Sequence, residues 1–151
     1  MPDATAAFKQ QLRAAFDALE VGQTFTFRRT FTDGDVALFC GVTGDYNPYH
    51  IDAAFAGESW YGRRIIPGLL TASMITHVGG MLGFLATEMV FHYLAPVYIG
   101  DTITCTVTFG EKDEAHRQVV GTAACVNQDG AEVLQAQFRG FPGLLRLRAD
   151  G

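Results

Sequence analysis

The sequence predicts an α+β fold in which an antiparallel sheet curls around a long central helix. Three observations point there. Thr102, Thr104, Thr106 and Thr108 alternate with Ile103, Cys105, Val107 and Phe109, the period-2 pattern of a half-buried strand. The stretch from Ile65 to Ala86 carries no Asp, Glu, Lys or Arg and opens with Pro67, which suits the first turn of a helix that is apolar on nearly every side. One strand-like segment precedes that helix and the others follow it, so a single sheet wrapping the helix accommodates all of them.

In chain order, Phe8, Leu12, Ala15, Phe16 and Leu19 recur at helical spacing among Lys9, Gln10, Arg13 and Asp17, which predicts an amphipathic helix over residues 4 to 19. Thr24 to Phe31, rich in Thr and Phe, reads as a strand. Thr32 then caps a short helix, Asp33 to Cys40, whose first turn holds two aspartates at the positive helix end. Gly41 to Gly62 shows no sustained period and reads as a long loop with one helical turn at Asp52 to Phe55; a loop of that length in a compact domain is usually functional. The central helix is expected to run from Pro67 to about Leu85, buried on nearly all sides. Glu88 to Leu94, Val119 to Asn127 and Val133 to Gly140 complete about five strands, with Asp129-Gly130 as a hairpin turn. The expected organisation is one domain over residues 1 to 151, with residues 1 to 21 a helical extension.

The 151 residues carry a net charge of −5, which gives no basic footprint for nucleic acid and no polybasic membrane face. Pro67, Ser73, Thr76, His77 and the glycines of the apolar run favour a helix enclosed by protein over a membrane span. Cys40, Cys105 and Cys125 are far apart, without metal-ligand or disulfide-scaffold spacing, and read as buried free thiols of a reducing compartment. Met1 to Glu20 mixes charges among its apolar residues and lacks a signal-peptide core, so a cytoplasmic location is expected.

Gly44-Asp45-Tyr46-Asn47-Pro48-Tyr49-His50 places a carboxylate and an imidazole five residues apart across a Pro-stiffened turn. Such a turn can aim both at one point, as acid–base chemistry requires. The bland reading is that Asp45 and Asn47 make Asx turns and His50 is a satisfied loop histidine. Gly68 follows 18 residues after His50, inside the start of the central helix, where unpaired N–H groups stabilise an oxygen gaining negative charge. An ordinary helix start explains Pro67-Gly68 equally.

Together these residues resemble the MaoC-like and (R)-specific enoyl-CoA hydratase family, with its Gly-Asp-x-Asn-Pro-x-His signature and a small residue, here Ala56, six positions on. The resemblance continues through Tyr61 to Leu70 and Tyr93 to Asp101, covering about Thr24 to Phe141. It implies a hot-dog fold, a homodimer, and reversible hydration of a trans-2-enoyl thioester of coenzyme A or acyl carrier protein to the (3R)-3-hydroxyacyl thioester, with no metal or redox cofactor. It also implies Asp45 as main acid/base, His50 as the partner on the water, the Gly68 N–H as oxyanion donor, and Asn47 as a site residue. Tyr49 departs from the smaller aliphatic residue usual there and is a candidate for narrowing the pocket. Ser73 and Thr76 are candidates to bond Asp45 or His50, against the simpler alternative of bonding back to the helix.

Leu69, Leu70, Met74 and Phe91 are candidates to line an acyl tunnel. Arg63, Arg64, Lys112 and Arg117 are candidates to meet the nucleotide phosphates at its rim, and plain packing or solvated charge is the alternative for each. His77, His92 and His116 read as structural or solvent-facing. Two rival functions share the fold: an acyl thioesterase, and a non-catalytic acyl-binding subunit. Retention of both Asp45 and His50 favours hydration.

Overall fold

A computed structural model describes residues 2–143. Helix α1 (Ala6–Ala18) is capped by the Thr5 hydroxyl and buries Ala15 and Phe16. It leads into strand β1 (Thr24–Thr30) and helix α2 (Asp33–Thr43). Two short helices, α3 (Pro48–Ile51) and α4 (Ala53–Glu58), precede the central pair α5 (Gly68–Ala72) and α6 (Ile75–Leu82). Strands β2 (Leu85–Tyr93), β3 (Thr102–Asp113), β4 (Gln118–Val126) and β5 (Glu132–Phe141) follow. All pairings are antiparallel, in the order β1-β3-β4-β5-β2, so the expected α+β arrangement of one strand before and four after the central helix holds.

The alternation in β3 does what its period requires. Ile103, Cys105, Val107 and Phe109 are buried while the threonines between them are half-exposed on the opposite face. Cross-strand hydrogen bonds between Thr26 and Thr106 and between Thr30 and Thr102 tie that outer face to β1. The inner face packs against Leu70, Met74, Ile75, Val78 and Leu82 of the central helices, forming the main core.

The expected central helix and the loop before it need correction. The central helix is not continuous: the Ser73 hydroxyl donates to Leu70 O (2.6 Å) and the Thr76 hydroxyl to Ser73 O (2.6 Å). Backbone bonds there tighten to three-residue steps, such as Met74 N–H to Thr71 O, which breaks the run between α5 and α6. It also ends at Leu82, because Gly83 takes a left-handed φ of 62° and Leu85 already belongs to β2. Nor is it buried all round, since Leu69, Thr76, His77 and Gly80 are exposed on one side. Finally, the segment from Gly41 to Gly62 holds the expected turn at Asp52 to Phe55 as α4, started by Asp52 accepting from Ala54 and Phe55 N–H, but also a second short helix, α3, started by Asn47 accepting from Tyr49 N–H.

Among the described residues, no helix is long and apolar enough to cross a membrane, and no cluster of three or more His, Cys, Asp or Glu side chains is placed to hold a metal ion.

Candidate active site

Helix α2 is anchored at its start by a reciprocal cap between Thr32 and Asp35, and it ends at Gly44, whose φ of 75° only glycine adopts without strain. That turn delivers Asp45. Its Oδ1 accepts from Asn47 N–H (3.3 Å), leaving Oδ2 to face Nε2 of His50 at 3.7 Å. The Asp45 side chain is 43% exposed and that of His50 only 10%, so the pair spans the boundary between solvent and interior.

His50 lies on α3, and its orientation is fixed by the backbone across from it. Nδ1 is 2.8 Å from Ile65 O. A carbonyl can only accept, so Nδ1 carries the hydrogen, and in the neutral ring the lone pair of Nε2 is left facing Asp45. Ile65 is held for this task by its N–H to Tyr49 O and by a bridge to Tyr98, while the next N–H bonds Val97 O.

His50 forms one wall of a cavity of about 300 Å³, whose other walls include Gly68, Thr71, Tyr93 and Val97. Among the described residues the Gly68 N–H donates no backbone hydrogen bond. It is therefore free to meet a ligand oxygen, although the five-residue α5 lacks the dipole expected of a long helix.

The structure thus brings Asp45, His50 and Gly68 to one region, and it assigns most of the other expected residues to different tasks. Asn47 caps α3 with its side chain. Tyr49 stacks edge-on against Phe55 and Tyr61 and lines a separate pocket with Trp60, so it does not narrow the His50 cavity. Ser73 and Thr76 bond helix carbonyls three residues back, the simpler alternative, and neither bonds Asp45 or His50. Leu69 is 59% exposed, and Leu70 and Met74 are packed in the core. A separate apolar cavity of about 370 Å³ lies farther along α6 against Gly79, Phe84, Met89 and Phe138. Arg64 pairs with Asp33 at 2.8 Å, and Arg63 lies over the Tyr98 ring at 4.1 Å. Lys112 donates to Leu19 O and covers Phe16, so its task is docking α1, and Arg117 lines a pocket beside that helix. His77 stacks on Phe27 and His116 bonds Asp113, as expected of structural histidines.

Thr71 and Tyr93 were not singled out from sequence. Thr71 lies one helical turn beyond Gly68, and Tyr93 opens a segment that had marked the family resemblance, so position held the only signal for either. Partial burial pushes the Tyr93 phenol up from its ordinary pKa of 10.0, which keeps it protonated at neutral pH.

A five-stranded antiparallel sheet over a central helix, with an Asp–His pair at the start of that helix, defines a hot-dog domain of the hydratase type. The chain belongs to the MaoC-like dehydratase family: the family model described as "MaoC like domain" matches residues 17–130. Among curated proteins it is 34% identical over 123 residues to a 3-hydroxybutyryl-CoA dehydratase of Methylorubrum extorquens, covering 79% of this chain and 77% of that protein. It is 28% identical over 128 residues to a mitochondrial 3-hydroxyacyl-[acyl-carrier-protein] dehydratase of Solanum lycopersicum, covering 82% and 78%. Among solved structures, the (R)-hydratase of A. caviae involved in PHA biosynthesis superimposes with a TM-score of 0.79 at 29% identity, covering 83% of this chain and 98% of that one.

Proposed function

We propose that the protein catalyses the reversible addition of water to a trans-2-enoyl thioester of coenzyme A or acyl carrier protein, giving the (3R)-3-hydroxyacyl thioester. The observation that carries this reading is the 3.7 Å approach of His50 Nε2 to Asp45 Oδ2 with Nδ1 locked on Ile65 O, beside a cavity that Gly68 also lines. One water between the two groups donates a hydrogen bond to each. As its oxygen bonds C3, its proton passes to Asp45, while electron density moves through C2 onto the thioester oxygen, held by the Gly68 N–H. Asp45 then returns a proton to C2, and the net change is H and OH added across the double bond. His50 orients the water through Nε2.

The acyl tail is proposed to run along the central helices toward the apolar cavity at α6. The active form is proposed to be a homodimer joined at β2, an edge strand that leaves Leu85, Val90 and Tyr93 exposed, with Leu69 exposed on α5. The buried free thiols Cys40, Cys105 and Cys125 support a reducing compartment such as the cytoplasm.

The test follows the enoyl-thioester absorbance of crotonyl-CoA and longer enoyl-CoAs, with free thiol measured in parallel and the assembly weighed by light scattering. Loss of enoyl absorbance without thiol release is expected. Thiol release from saturated acyl-CoA with no hydration would instead make the protein a thioesterase, and inertness toward both would make it an accessory subunit.

A further inference from the structure

Every helical Ser or Thr near the site except one spends its hydroxyl locally. Thr43 donates to Phe39 O (2.8 Å), Ser73 to Leu70 O and Thr76 to Ser73 O. Thr71 does not, although it is only 3% exposed. Among the described residues, no side-chain oxygen that is sealed from solvent lacks a partner. The Thr71 oxygen has no protein partner there, so it must be the accessible part of that residue, and the space it lines is the cavity shared by His50 and Gly68. A hydroxyl open to that cavity is completed by whatever fills it, so it is available to bond a ligand oxygen there.

Position 71 is three residues on from Gly68 in α5, so the two are neighbours on one helix face. An oxygen held at the Gly68 N–H is therefore next to the Thr71 hydroxyl. Resting on the hydratase reading above, we propose that Thr71 is a second hydrogen-bond donor to the thioester carbonyl oxygen, completing the oxyanion site begun by Gly68. The negative charge on that oxygen grows as water adds to C3, so the bond strengthens in the transition state and its loss falls on kcat more than on KM.

The experiment compares Thr71→Val, Thr71→Ser and Thr71→Ala in crotonyl-CoA hydration, each with its melting temperature. Thr71→Val, nearly equal in shape, is expected to lower kcat about 10- to 100-fold with little change in KM, while Thr71→Ser stays within about threefold of wild type. Should the valine variant fail to fold, the Ser and Ala variants decide, since they differ only by the hydroxyl. A spectroscopic readout adds what packing alone would not move: enoyl-CoA bound to Asp45→Asn should show a carbonyl stretch shifted to lower frequency, and adding Thr71→Val should reverse part of that shift. Wild-type hydration with undiminished kcat in Thr71→Val, or equal losses in Ser and Ala, would overturn the role of Thr71 alone. Absence of hydration by the wild type would overturn the underlying reading and this role with it.

Discussion

The ring of Tyr93 lies where a side chain at position 68 would begin: a Cβ on Gly68 would come within 2.8 Å of Tyr93 Cε1. Glycine at 68 is thus required by a neighbour rather than by its own backbone, since its φ is not among the positive ones. Tyr93 is 52% exposed in the single chain, so Gly68→Ala is expected to displace the ring from the cavity with little loss of melting temperature, the assembly being weighed alongside because β2 is the proposed dimer edge. Hydration should fall by an order of magnitude or more, because misplacement of about 1 Å at a reacting centre is already costly. Tyr93→Ala in the same chain should soften the effect of Gly68→Ala, and a double-mutant cycle with no coupling would show that the ring and the glycine act separately.

Asp45 and His50 share one water in the proposed mechanism, so their losses should not add. Asp45→Asn keeps shape and removes the base, and His50→Ala removes the second anchor on the water. Each should lower kcat by about 10²–10⁴-fold, with the double variant little worse than either single one. Melting temperatures belong beside these rates, because Asp45 also accepts the Asn47 N–H in its turn. Near-native hydration by a folded Asp45→Asn would end the catalytic assignment.

The Tyr49 pocket and the apolar cavity at α6 make a contrasting pair of expectations. Tyr49 packs between Phe55 and Tyr61 away from the His50 cavity, so Tyr49→Val should cost stability and leave the chain-length profile unchanged. Gly79 lines the apolar cavity at α6, where an added Cβ meets only ordinary contact with Phe84 O at 3.6 Å. Gly79→Val should therefore fold and should depress activity toward longer enoyl chains more than toward crotonyl-CoA. A broadened profile in Tyr49→Val, or a flat one in Gly79→Val, would reverse these assignments.

The strands and the Asp45–His50 pair were legible because each rests on a local pattern. Alternation in Thr102 to Phe109 needs only the period of a sheet, and the Pro-stiffened turn from Asp45 to His50 needs only short-range geometry. The break between α5 and α6 was hidden because Ser73 and Thr76 fit a helix as well as they bend one, and side-chain bonding to carbonyls is not visible in apolar periodicity. The pocket walls were hidden for a different reason. Tyr93 reaches Gly68 from strand β2, and the pairing of Tyr49 with Phe55 and Tyr61 decides which pocket it faces; both are tertiary contacts. Arg63 and Arg64 illustrate the same limit, since nothing local to them announces Tyr98 or Asp33 as partners.

The last expectation concerns the helix that delivers Asp45. At its start, Asp35 Oδ2 accepts from the Thr32 N–H at 2.8 Å and from the Thr32 hydroxyl at 2.9 Å, with Arg29 alongside. The backbone bond from Thr32 is the largest influence and holds the Asp35 carboxyl below its ordinary value of 3.8, against the opposing effect of burial. A carboxyl whose pKa is depressed by folding stabilises the folded state fully at neutral pH and loses that contribution as pH falls through 3.8 toward the lower folded value. Asp35→Asn should therefore lower stability at neutral pH by about 1 kcal/mol, the usual worth of a cap, or roughly 2–4 °C in Tm for a chain of this size. On acidification below 3.8 the gap between variant and wild type should narrow, since the wild-type carboxyl becomes neutral as well. Thermal melts at a series of pH values measure both halves, and a gap that stays constant across the series would mean that Asp35 acts through shape rather than charge. Because α2 ends at Gly44 and hands the chain directly to Asp45, the same variant assayed well below its melting point should keep its kcat, which separates anchoring the helix from placing the proposed catalytic carboxylate.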